Sequence, residues 1–204
     1  MLAAVRALLF PPACAACDAP GPGLCAACAP PSHAAERFSI GDVPAYALGP
    51  YEGALRTAIV AMKRGLRDPL DAFAALLDGA PVRGVLVPLP TTRGRVAARG
   101  FDQAVELARR VARRRGLMHA AVLRKTGAAQ ERRDRSARLV ACGRFSVRRG
   151  GAPLPPCVTV LDDVTTTGAT VRDACAALRA AGIEVAGAVL LARTAEPRTV
   201  RGGR

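Results

Sequence analysis

The chain has 204 residues, half of them apolar, yet only seven are aromatic and none is Trp; such a chain suits one ordinary domain with a small appendage, its core built from Ala, Val and Leu. Seven cysteines do not make the even framework of a small disulfide-stapled secreted domain, and the apolar opening at 2–10, interrupted by Arg6, is too short to span a bilayer. The formal charge of +14 favours polyanionic partners, either a phosphorylated sugar or a nucleic-acid backbone, although 28 Arg against 2 Lys also fits a codon bias that decorates helix surfaces.

In chain order, residues 11–32 are rich in Pro, Gly, Ala and Cys and hold almost no core-forming side chains. Burial alone cannot fold such a segment. Two knuckles, Cys14-x2-Cys17 and Cys25-x2-Cys28, lie seven residues apart, and four thiolates at that spacing complete a tetrahedral zinc site. Two disulfides are the alternative, disfavoured in a reducing cytosol, and a redox pair would need only one Cys-x-x-Cys. Cys142, Cys157 and Cys175 read as small apolar residues.

An extended run is predicted at 43–48, then a helix carrying Leu55, Ile59 and Met62 and stopped at Gly65. A second helix starts at Asp68 with Pro69 in its first turn, ends at Gly79, and lines up Leu70, Phe73 and Leu77. Residues 82–87 read as a short buried strand. A helix over 102–115 turns Val105, Ala108, Val111 and Ala112 inward and its arginines outward, and Gly116 caps it. The stretch 124–150 is polar, basic and aperiodic, and reads as a mobile loop. Strands at 158–161 and 183–192 flank a helix at 171–181, and the tail from 196 reads as frayed. Alternating strands and helices predict an α/β fold with a parallel sheet flanked by helices.

The turn after the 158–161 strand carries the chemistry. Asp162 and Asp163 stand at its carboxyl end, where open α/β sheets bind ligands. Thr165, Thr166, Thr167, Gly168, Ala169 and Thr170 then bring hydroxyls and backbone amides to a helix N-terminus, where the dipole favours a phosphate. Adjacent carboxylates repel each other, so a purely structural role is poorly motivated. They suit a ribose diol, whose hydroxyls donate to them, or a Mg²⁺ carried on a diphosphate. No Gly-Lys-Ser/Thr is present, which excludes a Walker-type ATP loop. The bland alternative is a simple strand–helix turn.

Asp-Asp followed by Thr-Thr-Gly-Ala-Thr resembles the phosphoribosyl-diphosphate (PRPP) signature of type I phosphoribosyltransferases. Together with the four-Cys head, the chain resembles the ComF/GntX family, whose founding role is competence for DNA uptake. The likeness takes in Tyr51-x-Gly53, Lys63, the run Val87-Pro88-Leu89-Pro90, the motif Arg99-Gly100-Phe101-Asp102-Gln103, then Thr126, Gln130, Phe145 and the turn after Asp162. It departs at Asp102, where the family usually has Asn, and at 138–142, where an expected Asn is missing.

The resemblance implies a zinc head over 1–35, a type I phosphoribosyltransferase-like domain over 36–195 and a tail over 196–204. It implies structural Zn²⁺ on Cys14, Cys17, Cys25 and Cys28, Mg²⁺ arriving with PRPP, and Asp162 and Asp163 as catalytic residues. Lys63, Arg95 and Arg99 would bind the diphosphate, with Arg93 beside them, and a basic hood around 124–138 would close over the site. A complete glutamine-dependent amidotransferase is not expected, since no Cys follows Met1. The competing reading is a cytoplasmic accessory protein without catalysis, binding single-stranded DNA or competence machinery through the 93–149 belt. That belt holds sixteen Arg and one Lys against four carboxylates, but only Phe101 and Phe145 for base stacking. A PRPP sensor is a third reading. A homodimer is compatible with all three, and membrane insertion is not expected.

Overall fold

Residues 157–165 alternate Val, Thr and Leu before reaching the carboxylates, and this run becomes the spine of the molecule. The computed structural model describes residues 12–125, 141, 142, 144–148 and 153–194. Expectations for 2–10, Thr126, Gln130, most of the hood and the 196–204 tail lie outside those residues. Strands β1 (Glu36–Ile40), β2 (Val43–Ala47), β3 (Val85–Pro88), β7 (Cys157–Thr165) and β8 (Glu184–Arg193) form one sheet in the order β1-β2-β8-β7-β3. Only β1 runs antiparallel to its neighbour; the other pairings are parallel. A second, antiparallel sheet joins β4 (Leu123–Lys125), β6 (Phe145–Val147) and β5 (Ala141–Cys142) in that order.

A parallel strand paired on both sides must be apolar on both faces. Accordingly Leu161, with Leu86 of β3 and Leu191 of β8, joins one core, whereas Val158 and Val160, with Val87 and Leu190, join another. The first core is built by α1 (Gly53–Lys63), α2 (Pro69–Leu76) and α4 (Gln103–Arg115); the second by α5 (Ala169–Ala180) and the small sheet. In α1 the stripe Leu55, Ala58, Ile59 and Met62 is buried, and each large apolar side chain so covered contributes about 1.5–3 kcal/mol. The α/β architecture and the mostly parallel sheet agree with the sequence.

Several boundaries differ. β1 falls where no strand is predicted, because its alternating, half-exposed pattern carries little apolar signal. A short helix, α3 (Arg93–Arg99), interrupts what reads as a turn, and none of its residues is buried. The segment read as a mobile loop begins and ends in strands. Phe145 is fully buried there and pairs with Lys125, and packing on α5 overrides the segment's polarity. β7 runs through Thr165, so the two carboxylates lie inside it, paired along β8, rather than beyond its end. In α4 the buried set is Gln103, Ala104, Leu107, Ala108, Val111 and Ala112, and Val105 is left half-covered.

The cysteine-rich head docks on the first core. Cys14 and Leu24 are buried in it, and Ala15, Ala16, Cys25 and Cys28 pack against it. Gly23 meets the backbone at the start of α2, where a β-carbon would lie 2.1 Å from the Asp68 carbonyl oxygen. Because that obstacle is backbone, Gly23→Ala should cost on the order of 1–3 kcal/mol, as overpacking does. A lower midpoint in urea unfolding, with faster proteolysis between head and body, is the expected result.

Candidate active site and metal centre

The end of β7 forms the floor of a cleft of about 350 Å³. Each carboxylate there folds back onto the next amide: Asp163 N–H donates to Asp162 Oδ1 at 2.8 Å, and Val164 N–H to Asp163 Oδ1 at 2.6 Å. Lys63, the last residue of α1, reaches Asp163 Oδ2 at 3.1 Å, and its ammonium stands 5.9 Å from the centre of the Tyr51 ring. Burial, followed by the neighbouring Asp163 charge, raises the Asp162 carboxyl to about 7, while the Asp163 amide, Lys63 and Lys125 pull the other way. The cleft therefore carries a readily exchanged proton near neutrality.

The opposite wall comes from the chain after β3. Asp102 caps α4, Oδ1 accepting from the Ala104 and Val105 amides at 3.1 and 3.4 Å, and its Oδ2 accepts from Thr91 N–H at 2.8 Å. One side chain thus starts a helix and pins the loop before α3. Gln103, almost fully buried, donates to the Met62 carbonyl at 3.4 Å and accepts from Arg99 at 2.8 Å. Arg67 stacks on Phe101, 4.5 Å from the ring centre, and bonds the Gly100 carbonyl at 3.3 Å. The Arg99–Gln103 motif is in this way a set of braces that aims Arg95 and Arg99 into the cleft.

Asp162, Asp163, Lys63, Arg95, Arg99 and Thr170 share the cleft, but the rest of the threonine-rich turn does not. Thr165, Thr166, Thr167 and Gly168 line an adjoining recess of about 210 Å³ with Arg172 and Arg193. Arg172 bonds the Thr167 carbonyl at 2.9 Å. Gly168 adopts φ +73°, and a β-carbon there would lie 2.5 Å from Ile40 Cγ2, so conformation and space both require glycine. Ala169 opens α5 and lines neither space.

Lys125 is the cleft residue that sequence reasoning missed, because it falls in the stretch read as a loop. Burial lowers its pKa, against the pull of Asp162. A signal existed: the chain has only two lysines among thirty cationic side chains, and both line this cleft. An ammonium on a flexible stem adapts to a ligand in a way a rigid guanidinium does not.

The arginine belt is less available than its count suggests. On α4, Arg109 pairs with Glu106 at 3.1 Å, Arg110 with Asp71 at 3.0 Å and Arg114 with Asp78 at 2.7 Å. Arg115 bonds the Leu77 and Ala80 carbonyls at 3.3 and 2.9 Å, and Arg144 pairs with Asp173 at 2.8 Å. Three of these arginines, Arg110, Arg114 and Arg115, stitch α4 to α2 and the turn that follows it. Among the described residues no helix is long and apolar enough to cross a membrane.

In the head the four cysteine sulfurs all lie within 4.8 Å of one another. Cys17 Sγ and Cys25 Sγ are 3.8 Å apart, which is the edge of a tetrahedron with bonds of about 2.3 Å to a central zinc. The cysteines are free thiols rather than disulfides. Burial pushes the Cys14 thiol up, but backbone N–H groups of Cys25, Ala16 and Cys17 bring it net down to about 6. Cys28 is pushed up to about 12 by hydrogen bonds shared with Cys17 and Cys25. Crowded thiols that share protons are what a metal such as zinc relieves, since it binds thiolates and expels the protons. No family model matches this chain, and no curated protein does.

Two outcomes follow from this geometry. Protein purified without chelator should carry one thiolate-bound metal ion per chain, lost in Cys14→Ser/Cys17→Ser, by elemental analysis. For Asp162, a folded pKa above the ordinary carboxylate value makes the fold lose stability as pH rises from roughly 4 to 7. Asp162→Asn keeps the oxygen that accepts the Asp163 amide and removes the charge. It should stabilise the ligand-free protein at pH 8 by at least about 1 kcal/mol, or roughly 2–4 °C in Tm, and the gain should vanish below pH 4.

Proposed function

We propose that the cleft binds PRPP with its magnesium, and that the protein is a phosphoribosyltransferase of the ComF/GntX kind. One observation carries this reading. Two carboxylates near the end of the central strand share a cleft with Lys63, Arg95, Arg99 and Lys125, and the chain runs on from them into a threonine-lined recess. That order of functions matches 5-phosphate, ribose diol and diphosphate along a single molecule. The 5-phosphate takes the Thr165–Gly168 recess beside Arg172, and the 2- and 3-hydroxyls donate to Asp162 and Asp163.

In the reaction the bond between ribose C1 and the diphosphate oxygen breaks, and its electron pair leaves on the diphosphate. The lone pair of an acceptor forms the new bond to C1. Positive charge builds on the sugar between these events, and ionised Asp162 and Asp163 stabilise it from below. Lys63 has first to release Asp163, and its ammonium, with Arg95 and Arg99, then meets the leaving diphosphate. Magnesium arriving with the diphosphate would offset its charge, and the carboxylates of Asp162 and Asp163 would be the residues to hold it. Ionising Asp162 for this role makes binding strengthen as pH rises through about 7.

Titration calorimetry with PRPP and Mg²⁺ tests the reading, with Asp162→Asn/Asp163→Asn beside the wild type. Hydrogen bonds to charged groups are worth about 1.5–3 kcal/mol each, so the double variant should bind at least about a hundredfold more weakly while keeping its fold by circular dichroism. Equal binding by the variant would remove these residues from the site. A folded, metal-loaded wild type that does not bind PRPP would remove the reading, and a salt series with single-stranded DNA would then test the accessory role.

A further inference from the structure

Behind the wall formed by Thr91 and Asp102 lies a second concavity of about 650 Å³, bounded by α3, the start of α4 and β4. It shares Pro90, Thr91, Asp102 and Lys125 with the first cleft, but neither Asp162 nor Asp163 reaches it. Its character is different. The first cleft is lined mainly by polar atoms, whereas carbon dominates here, with Val96, Val105 and Leu123 along the floor.

Leu123 belongs to the second core, but Val96, Ala97 and Val105 are left uncovered in part or in full by the described residues. α3 buries none of its residues, so Val96 and Ala97 turn toward the groove without covering anything. Val105 sits on the inward stripe of α4 by sequence and is nevertheless half-exposed, beside fully covered Ala108. Around this floor the rim carries Arg93, Arg124, Lys125 and Arg148. The one carboxylate on the lining, Asp102, has both oxygens engaged by backbone amides and offers little to a cation.

We propose that this groove is a binding site for a small organic anion with a flat apolar body, such as an aromatic carboxylate or sulfonate. Its volume lies within the range of roughly 300–1,000 Å³ usual for small-molecule sites. The apolar body covers Val96, Ala97 and Val105, and the anionic group meets Arg93 and Arg148 at the rim. A nucleic-acid strand fits less well. No aromatic side chain lines the groove for stacking, and the α4 arginines that would extend a phosphate track are tied to Asp71, Asp78 and Glu106. The inference does not depend on the identity of the ligand in the first cleft.

The probe is 1-anilinonaphthalene-8-sulfonate, whose fluorescence rises in apolar surroundings, titrated into the full metal-loaded chain. Saturable binding of one probe per chain is expected, unaffected by 1 mM inorganic diphosphate. Arg93→Ala/Arg148→Ala should raise the Kd at least tenfold, and Ala97→Trp, which fills the groove from an exposed helix position, should abolish the saturable component. Arg113→Ala, on the outer face of α4, should change nothing. Circular dichroism melts establish that each variant is folded. No saturable binding by the wild type, or equal binding by both groove variants, would overturn the proposal. Displacement by diphosphate would do so too, by making the groove an extension of the first cleft. Displacement by a thymidine oligonucleotide with a steep salt dependence would replace it with the nucleic-acid reading.

Discussion

Consecutive carboxylates on a strand paired from both sides set the terms for everything near them. Asp162 and Asp163 cannot both ionise cheaply side by side and partly buried, and moving them apart would break the ladder to β8. The fold answers with two backbone amides, an ammonium from α1, another from β4 and a proton held on Asp162 to about pH 7. Much of the architecture serves that arrangement. α1 has to end at Lys63, the small sheet has to present Lys125, and the loop after β3 has to keep its arginines near without neutralising the pair. A ligand bringing hydroxyl donors and its own negative charge would release Lys63 from Asp163 and give the arginines a partner.

The cysteine-rich head connects to this centre through packing rather than charge. Cys14 and Leu24 belong to the same buried cluster as Ile59 and Met62, and Met62 also anchors Gln103 through its carbonyl. Gln103 in turn holds Arg99. A path of ordinary contacts therefore runs from the four thiols to Arg99, one of the cations lining the cleft. Gly23, pressed on the start of α2, fixes the head's position on that path. The head lacks a core of its own, so this docking supplies its burial, and its four close thiols are placed to take a metal such as zinc.

Positive charge is spent in two ways. On α4 the arginines act as fasteners to α2, and exposed pairs of that kind are worth about 0–1 kcal/mol each. Around the two cavities Arg93, Arg95 and Arg148 line the openings, while Lys63 and Arg99 are held by Asp163 and Gln103. Among the described residues, cations that line cavities thus gather near Arg93, Arg95 and Lys125.

Some local features were readable in the sequence. The knuckle spacing of Cys14, Cys17, Cys25 and Cys28 announced a thiolate cluster, the run after Val158 announced a strand opening onto carboxylates and a threonine-rich turn, and the stripes of α1 and α2 announced buried helices. These signals survive because each rests on residues close together in the chain. What the sequence could not decide depended on contacts between distant segments. Lys125 looked like one more cation in a polar loop until Phe145 and α5 gave its strand a surface to pack on. β1 carried too weak an alternation to stand out before β2 paired with it. Lys63 meets Asp163 across a hundred residues, and Val105, inward by periodicity, faces a groove because α3 stands off the core. Periodicity says which residues seek burial; only the packing of whole elements decides which of them obtain it, and which are left lining a cavity.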